Sequence, residues 1–465
     1  MDKFMHHLIH DKSTRRKIYI LNTLNSSRGF VSSRYLADHL KCSSRTILND
    51  ISQLKYDISS KWELLSIKSK GHMLKKPLNE NLNWVIQSYL KESTIYKIII
   101  GLFQGRNYSL EKWAQILYIN KETLKGILKK FNILLIEFRV KFKFRILKLD
   151  GDEINIRYFY IAFFYLIKKY GIEVNEQCSF IKGAESIVKS YGVKIDLNML
   201  KSILFVLIKS YLRKNHIKSK IKIDIILDCR QSDCLQEIIS ELESYYHFRI
   251  YQSEKSILKL YFFLAANSTN LQKKKVFNLY YNVNNFHENL TLLFDILEKK
   301  NILNLFTKKK LTIELGIYIY KLYVMKQYDF PLQYFVTLLD FPSNDFTKLY
   351  KKIYFYVISW NKNNSYNKYE LNYITVHITL FLYSNPKKYD ILLLFSGTAL
   401  EETIVYIKLK QKLGDNVAIH QISDAINEYD LIITNYKILE KNIPVFYIFQ
   451  NGSPEELSAI KLLTI

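Results

Sequence analysis

Apolar positions between residues 31 and 58 recur at helical spacing in two runs, divided by a short polar break. In "SSRYLADHL" Leu36, Ala37 and Leu40 share one face behind a serine able to cap a helix. "KCS" makes the turn, and "SRTILNDISQLKYDI" begins again with Ser43 or Ser44 as N-cap. At about 100° per residue, Ile47, Ile51, Leu54 and Ile58 form one stripe. Arg45, Asn49 and Ser52 take the other side, flanked by Thr46 and Gln53. "WELLSIKSKGHMLKKP" then predicts two short strands around a Lys-Gly turn that presents Lys68 and Lys70. A plain helical hairpin with a solvated polar face has the same periodicity; the basic hairpin after it is the added signal.

The order of V-S, L-A, C-S-S-R-T-I, D-I and L resembles the winged helix-turn-helix of bacterial transcription regulators. There the N-terminal part of the second helix meets base edges and phosphates in the major groove. Ser44, Arg45, Thr46, Asn49, Ser52, Gln53, Lys68 and Lys70 are therefore the candidate DNA contacts. The plan repeats in "SLEKWAQILYINKETLKGILKKFNILL", where Trp113, Ala114 and Leu117 precede a helix from Asn120 carrying Leu124, Ile127 and Leu128 inward. Lys121, Thr123 and Lys130 face out, and "FKFRILKLDGDEINIR" predicts a hairpin with Asp150-Gly151 as its turn. Lacking R-T-I, this second unit fits a DNA contact or a structural spacer; Lys121 and Thr123 are its candidate contacts.

From residue 158 the pattern becomes long amphipathic helices, "YFYIAFFYLIKKYG" to "EKSILKLYFFLAANS", then a similar series from "NNFHENLTLLFDILEKK" to "YELNYITVHITLFLYS". Aligning the closing helices sets Tyr261 opposite His377, consistent with a duplicated helical domain. In the tail, "YDILLLFSG", "VAIHQIS", "YDLIITN" and "NIPVFYIF" read as strands and "LEETIVYIKLKQKLG" and "PEELSAIKLL" as helices, which predicts a small parallel α/β sheet. The fold class expected is mainly α and multidomain: two winged helix-turn-helix domains at 1–76 and 77–157, all-helical domains at 158–272 and 273–386, and an α/β domain at 387–465.

Composition narrows the function. The 465 residues are 48% hydrophobic with 13 Gly and 6 Pro, the balance of an ordered globular chain of several domains. No apolar run reaches the roughly 20 residues of a membrane span, and "MDKFMHHLIHDKSTRRK" has no secretion signal, so a cytoplasmic protein with no membrane partner is expected. Formal charge is +25. Residues 1–157 hold 29 Lys/Arg against 14 Asp/Glu, the other 308 hold 39 against 29, so the basic excess is about three times as dense in the first third. Lys-for-Arg usage of an AT-rich genome explains part of this; its concentration at the N-terminus points to a polyanion partner. No G-x-x-x-x-G-K, G-x-S-x-G or H-E-x-x-H occurs, and Cys229 and Cys234 lack a second ligand pair. No enzyme, cofactor or metal site is expected.

The whole order of domains, with "KWELLSIKSKGHMLKKPLNENL" (61–82), "NPKK" (385–388) and "KNIP" (441–444), resembles the Mga/AtxA family of virulence transcription regulators. That resemblance implies a regulatory architecture and a set of partners. The helical domains would resemble phosphotransferase-system regulation domains (PRDs) and the tail the EIIB component of sugar transporters. The phosphorylatable histidine of the second repeat falls on His377 in "ITVHITL"; that of the first falls near Asn198, which is not a histidine. The EIIB phosphocysteine would lie in "FSGTALEE" (395–402), which has no cysteine, so the tail would serve contacts and homodimerisation. Partners would be double-stranded promoter DNA, a second copy of the chain and the phosphocarrier protein HPr. A regulator of a sugar-uptake operon, an RNA-binding antiterminator and a phosphotransfer protein are the alternatives.

Overall fold

The computed structural model describes residues 3–172, 179–217, 225–280, 286–300, 302–303, 305–332, 341, 343–361, 366–385, 389–414, 417–421, 429–438, 443–449 and 452–463. Helices dominate, and the chain falls into two compact units: Met1–Val283 with Gly316–Asp340, and Asn284–Leu315 with Phe341–Ile465.

The first unit opens with α1 (Lys3–Leu8), α2 (Lys12–Ser26), α3 (Ser33–Leu40), α4 (Ser44–Asp57) and a hairpin of β1 (Glu63–Ile67) and β2 (Gly71–Lys75). The caps are local chemistry. The side chains of Asp11, Ser32 and Ser43 accept from the backbone N–H of Thr14, Tyr35 and Thr46, so Ser43 is the cap of α4 and Ser44 its first residue. Helices α5 (Asn83–Glu92) and α6 (Thr94–Phe103) lead to α7 (Leu110–Ile116), α8 (Lys121–Glu137), β3 (Lys141–Lys143) and β4 (Lys148–Asp150). Ser109 and Asn120 cap α7 and α8. Trp113, Ala114, Leu124 and Leu128 are buried as expected, whereas Leu117 and Ile127 are half-buried.

The second hairpin differs from the turn expected of its sequence. Lys141 pairs with Asp150 and Lys143 with Lys148, so residues 144–147 make the turn, not Asp150-Gly151. Gly151 has φ +155° and leads out of β4, where a Cβ would lie 2.7 Å from the Arg139 carbonyl oxygen. The Asp-Gly pair serves the close passage of two backbones rather than a reversal.

Next along the chain is α9 (Glu153–Lys169), buried along most of its length, then α10 (Ser179–Ser190), α11 (Leu197–Leu212), α12 (Cys229–Tyr246), α13 (Gln252–Ala265) and α14 (Asn270–Tyr280). Boundaries drawn after 157 and after 272 thus fall inside α9 and α14; the one after 386 lies outside the described residues. Phe159 of α9 packs 6.0 Å from Phe4 and 5.4 Å from Phe138, and Tyr158 stacks 3.8 Å from Phe330. Arg157, 1% exposed, forms a two-pronged ion pair with the fully buried Glu254 and also donates to Glu153 and to the Asn215 carbonyl. Burying such a pair is costly unless every donor is met, and here the partners are complete enough to fix α9 against α13.

The second unit holds α15 (Phe286–Lys299), the first part of α16 (Leu305–Gln327), α17 (Asn344–Trp360), α18 (Lys368–Ser384) and the tail. Capping boxes begin α18 (Asn367 with Glu370) and the tail helix α19 (Ala399–Leu413; Thr398 with Glu401). The tail strands β5 (Tyr389–Leu394), β6 (Val417–His420), β7 (Leu431–Thr434) and β8 (Val445–Tyr447) precede α20 (Pro454–Leu463). They form one parallel sheet in the order β6-β5-β7-β8, as the alternation of strands and helices predicts. Ile391, Leu393 and Ile433 pack with Val405, Leu409 and Ile460 on one face, while Leu392 and Ile432 pack on the other. Burial on both sides explains why β5 and β7 read as unbroken apolar runs.

Candidate DNA interface

Helix α4 is held from behind. Its core stripe of Ile47, Ile51 and Leu54 is at most 2% exposed. Asp50, also buried, accepts from Arg16 Nε (2.6 Å) and Nη2 (3.2 Å) and from Ser13 Oγ (2.8 Å), all on α2. The Asp50 bond is the main cause that raises the Arg16 guanidinium above its ordinary pKa. At the far end Asp57 accepts from Lys17 Nζ (2.9 Å) and from the Tyr89 hydroxyl. The two carboxylates of α4 are therefore turned away from its outer face and paired with cations, which leaves that face without negative charge to repel phosphate.

The outer face carries the expected set. Ser44, Arg45, Asn49, Ser52 and Gln53 are exposed; Thr46 is half-buried, its hydroxyl 2.9 Å from Ser43 Oγ in the cap. Lys68 and Lys70 are exposed at the tip of the β1–β2 hairpin. The hairpin is fastened to the helices: Val31 and His72 exchange backbone hydrogen bonds of 2.8 Å each, and the His72 ring lies between Ser33 Oγ (2.8 Å) and Ser66 Oγ (2.9 Å). The hairpin is thus fixed to the start of α3, and its exposed lysines add to the polar outer face of α4. Sequence reasoning missed Asp50, Arg16 and His72, whose roles depend on neighbours far along the chain. It also missed Leu48, apolar and 50% exposed on α4; an aliphatic side chain outside the core stripe was its one signal.

The second helix-turn-helix differs at the same place. Lys121 at the start of α8 is paired with Glu111 of α7, 2.5 Å away, which lowers the Glu111 carboxyl below its ordinary range. Thr123 is exposed beside Glu122, and Lys130 is exposed further along. The hairpin adds exposed Lys141, Lys143, Arg145 and Lys148, of which Lys143 is paired with Asp150 at 2.7 Å.

His377 lies on α18 at the edge of the buried face, about 60° around the helix from the buried Ile374, and is half-buried with the Tyr373 ring 4.4 Å away. Leu380 is 41% exposed, about 60° around the helix from His377 and away from the buried face. Asn198 is exposed in the first turn of α11, its N–H donating to Asp196. In the tail, the loop after β5 is internally bonded: Ser396 and Asn435 exchange two bonds of 2.8 Å, and Thr398 N–H donates to Glu401 Oε2 at 2.8 Å. Among the described residues no group of three or more His, Cys, Asp and Glu could hold a metal ion, and no helix is long and apolar enough to cross a membrane.

The family described as an Mga helix-turn-helix domain matches residues 78–164, and that described as an HTH domain matches residues 16–73. The anthrax toxin expression trans-acting positive regulator of Bacillus anthracis is 23% identical over an alignment covering 97% of this chain and 98% of that protein. Capsule synthesis positive regulator AcpB of the same organism is 28% identical over 151 residues, 32% of this chain and 31% of AcpB's own length. A probable licABCH operon regulator of Bacillus subtilis (strain 168) is 25% identical over 48% of this chain and 40% of that protein. The two matched stretches contain the helix pairs α3–α4 and α7–α8, and along nearly its whole length the chain is similar to a regulator of the Mga/AtxA kind.

Proposed function

We propose that this protein is a cytoplasmic, non-enzymatic transcription regulator, an activator of virulence genes, that reads double-stranded promoter DNA with α4 and the β1–β2 wing. The observation that carries the reading is the outer face of α4: Arg45, Asn49 and Ser52 exposed together, with Asp50 and Asp57 paired away from it. The relatives' names, as positive regulators, support the direction of control. A duplex offers base edges at this depth only in the major groove, where an arginine or an asparagine can make paired hydrogen bonds worth about 1–3 kcal/mol of discrimination. Arg45→Ala and Asn49→Ala should therefore each weaken promoter binding roughly 5- to 150-fold with unchanged circular dichroism. Unaltered affinity in both variants sinks the assignment. The second winged unit is proposed to contact the same duplex through its cationic hairpin, with Lys121 and Thr123 at its helix start.

Control is proposed to run through the helical domains, PRD-like at 158–272 and 273–386, with His377 receiving a phosphoryl group from HPr. The partial exposure of His377 at the edge of the buried face of α18 supports this, since an acceptor must be reached by another protein. Transfer breaks one N–P bond on the carrier and forms one on His377, placing new negative charge at that edge of α18. Incubation with radiolabelled phosphoenolpyruvate and the purified phosphotransferase proteins should label the wild type and leave His377→Ala unlabelled. Equal labelling of the two would show that the imidazole only packs. The EIIB-like tail, 387–465, is proposed as the homodimer contact rather than as a phosphoryl carrier, because the amides after β5 already serve Asn435 and Glu401. Similarity to the licABCH operon regulator favours a second reading, control of an uptake operon, with the same DNA-reading surface.

A further inference from the structure

We infer that Leu48 is a base-reading residue, taking the C5-methyl group of a thymine in the major groove beside an adenine held by Asn49. The inference rests on α4 being the DNA reader. Leu48 is 50% exposed, whereas the core side of α4 is filled by Ile47, Ile51 and Leu54. It lies about 60° around the helix from Arg45, one turn along from it and one turn before Ser52, within the same outward strip. A leucine offers nothing to a phosphate, and in that strip every neighbour is polar.

The major groove presents a single apolar group, the thymine methyl, and an amide side chain matches adenine through its N6 and N7. Adjacent Leu48 and Asn49 therefore match neighbouring T and A on a duplex, an apolar feature beside a paired donor and acceptor. The pairing of Asp50 with Arg16 and Ser13 keeps a carboxylate from competing at this point.

The test uses the full chain and duplexes selected by it from a random-sequence library, resynthesised with deoxyuridine replacing each thymidine singly. Uracil keeps base pairing and O4 and lacks only the methyl. Wild-type affinity should fall about fourfold at one or two thymines, the value of about 0.8 kcal/mol for one buried methyl-sized group. Leu48→Ala should bind the thymine duplex about as weakly as the wild type binds the uracil one, and should show no further loss at those positions. Circular dichroism confirms that the variant folds. If no thymine responds to uracil, or if Leu48→Ala keeps the full uracil penalty, the inference falls. Arg45→Ala and Asn49→Ala separate the layers: weakened binding in either variant, with no uracil response in the wild type, removes Leu48 alone, whereas unchanged binding in both removes the reader itself.

Discussion

His72 fixes the angle of the wing, and it does so with a neutral ring. It is 3% exposed, and its two nitrogens are shared between a serine of α3 and a serine of β1. The preceding Gly71 has φ +105°, and a Cβ there would stand 2.2 Å from the Val31 carbonyl oxygen, so the strand runs too close to α3's approach for any side chain. Burial first, and then the charge of Lys55, lower the imidazole below its ordinary 6.5. A depressed folded value means that the unfolded chain binds the proton more readily, so stability is full above pH 6.5 and is lost as pH falls through the folded pKa. Protection of the backbone amides of residues 63–75 from hydrogen exchange, corrected for intrinsic rates, should drop below pH 6.5 in the wild type. The drop should be much smaller in His72→Gln, and equal pH dependence in the two proteins would clear His72 of the effect. None of this was legible in the sequence. Alternation locates His72 on a strand, but its partner Ser33 lies 39 residues away, and only the fold brings the two together. Asp50 is a parallel case: a carboxylate at a helical position between core residues reads as solvent-facing until Arg16 is set against it, 34 residues apart.

At the scale of elements the sequence was legible wherever the determinant is local. Ser32, Ser43, Ser109 and Asn120 act as N-caps because each places an oxygen over free N–H groups a few residues ahead, a relation visible in a short window. The stripes of α4 and α8 arise from one buried face, and the tail strands from burial on two. Legibility failed where a residue type serves two geometries. Asp150-Gly151 suits a tight reversal, yet it serves the exit from β4, while "FRIL" (144–147) turns the chain without Gly or Pro because Leu147 is buried with its N–H on the Tyr108 carbonyl. On α18 the buried positions already fill the inner face, so an apolar residue, Leu380, is left outside.

At the scale of the whole molecule, domain edges drawn from changes of pattern miss the helices that serve two neighbourhoods. Helix α9 is apolar around its circumference because Phe159 and Phe163 meet Phe4 while Tyr158 stacks on Phe330, so a boundary at 157 cuts a shared core. The proposed homodimer asks a further question of the tail, which must offer apolar surface outside its own core. Helix α19 offers it: Val405, Leu409 and Leu413 face the sheet, while Leu400 (71% exposed), Ile404 (37%) and Ile407 (47%) form a stripe at helical spacing on the other side. Three such residues on each of two protomers supply the apolar centre of an interface around a two-fold axis. Leu400→Glu combined with Ile407→Lys leaves net charge unchanged and suits the helix dipole, an acid near the N-terminus and a base toward the C-terminus. The fold should therefore survive. Withdrawing two aliphatic side chains per protomer from an interface removes at least about 3 kcal/mol, roughly a 150-fold weakening. Light scattering should show the double variant as a monomer at concentrations where the wild type is a dimer, with target expression falling in step. An undiminished dimer mass would place the contact somewhere other than the outer face of α19.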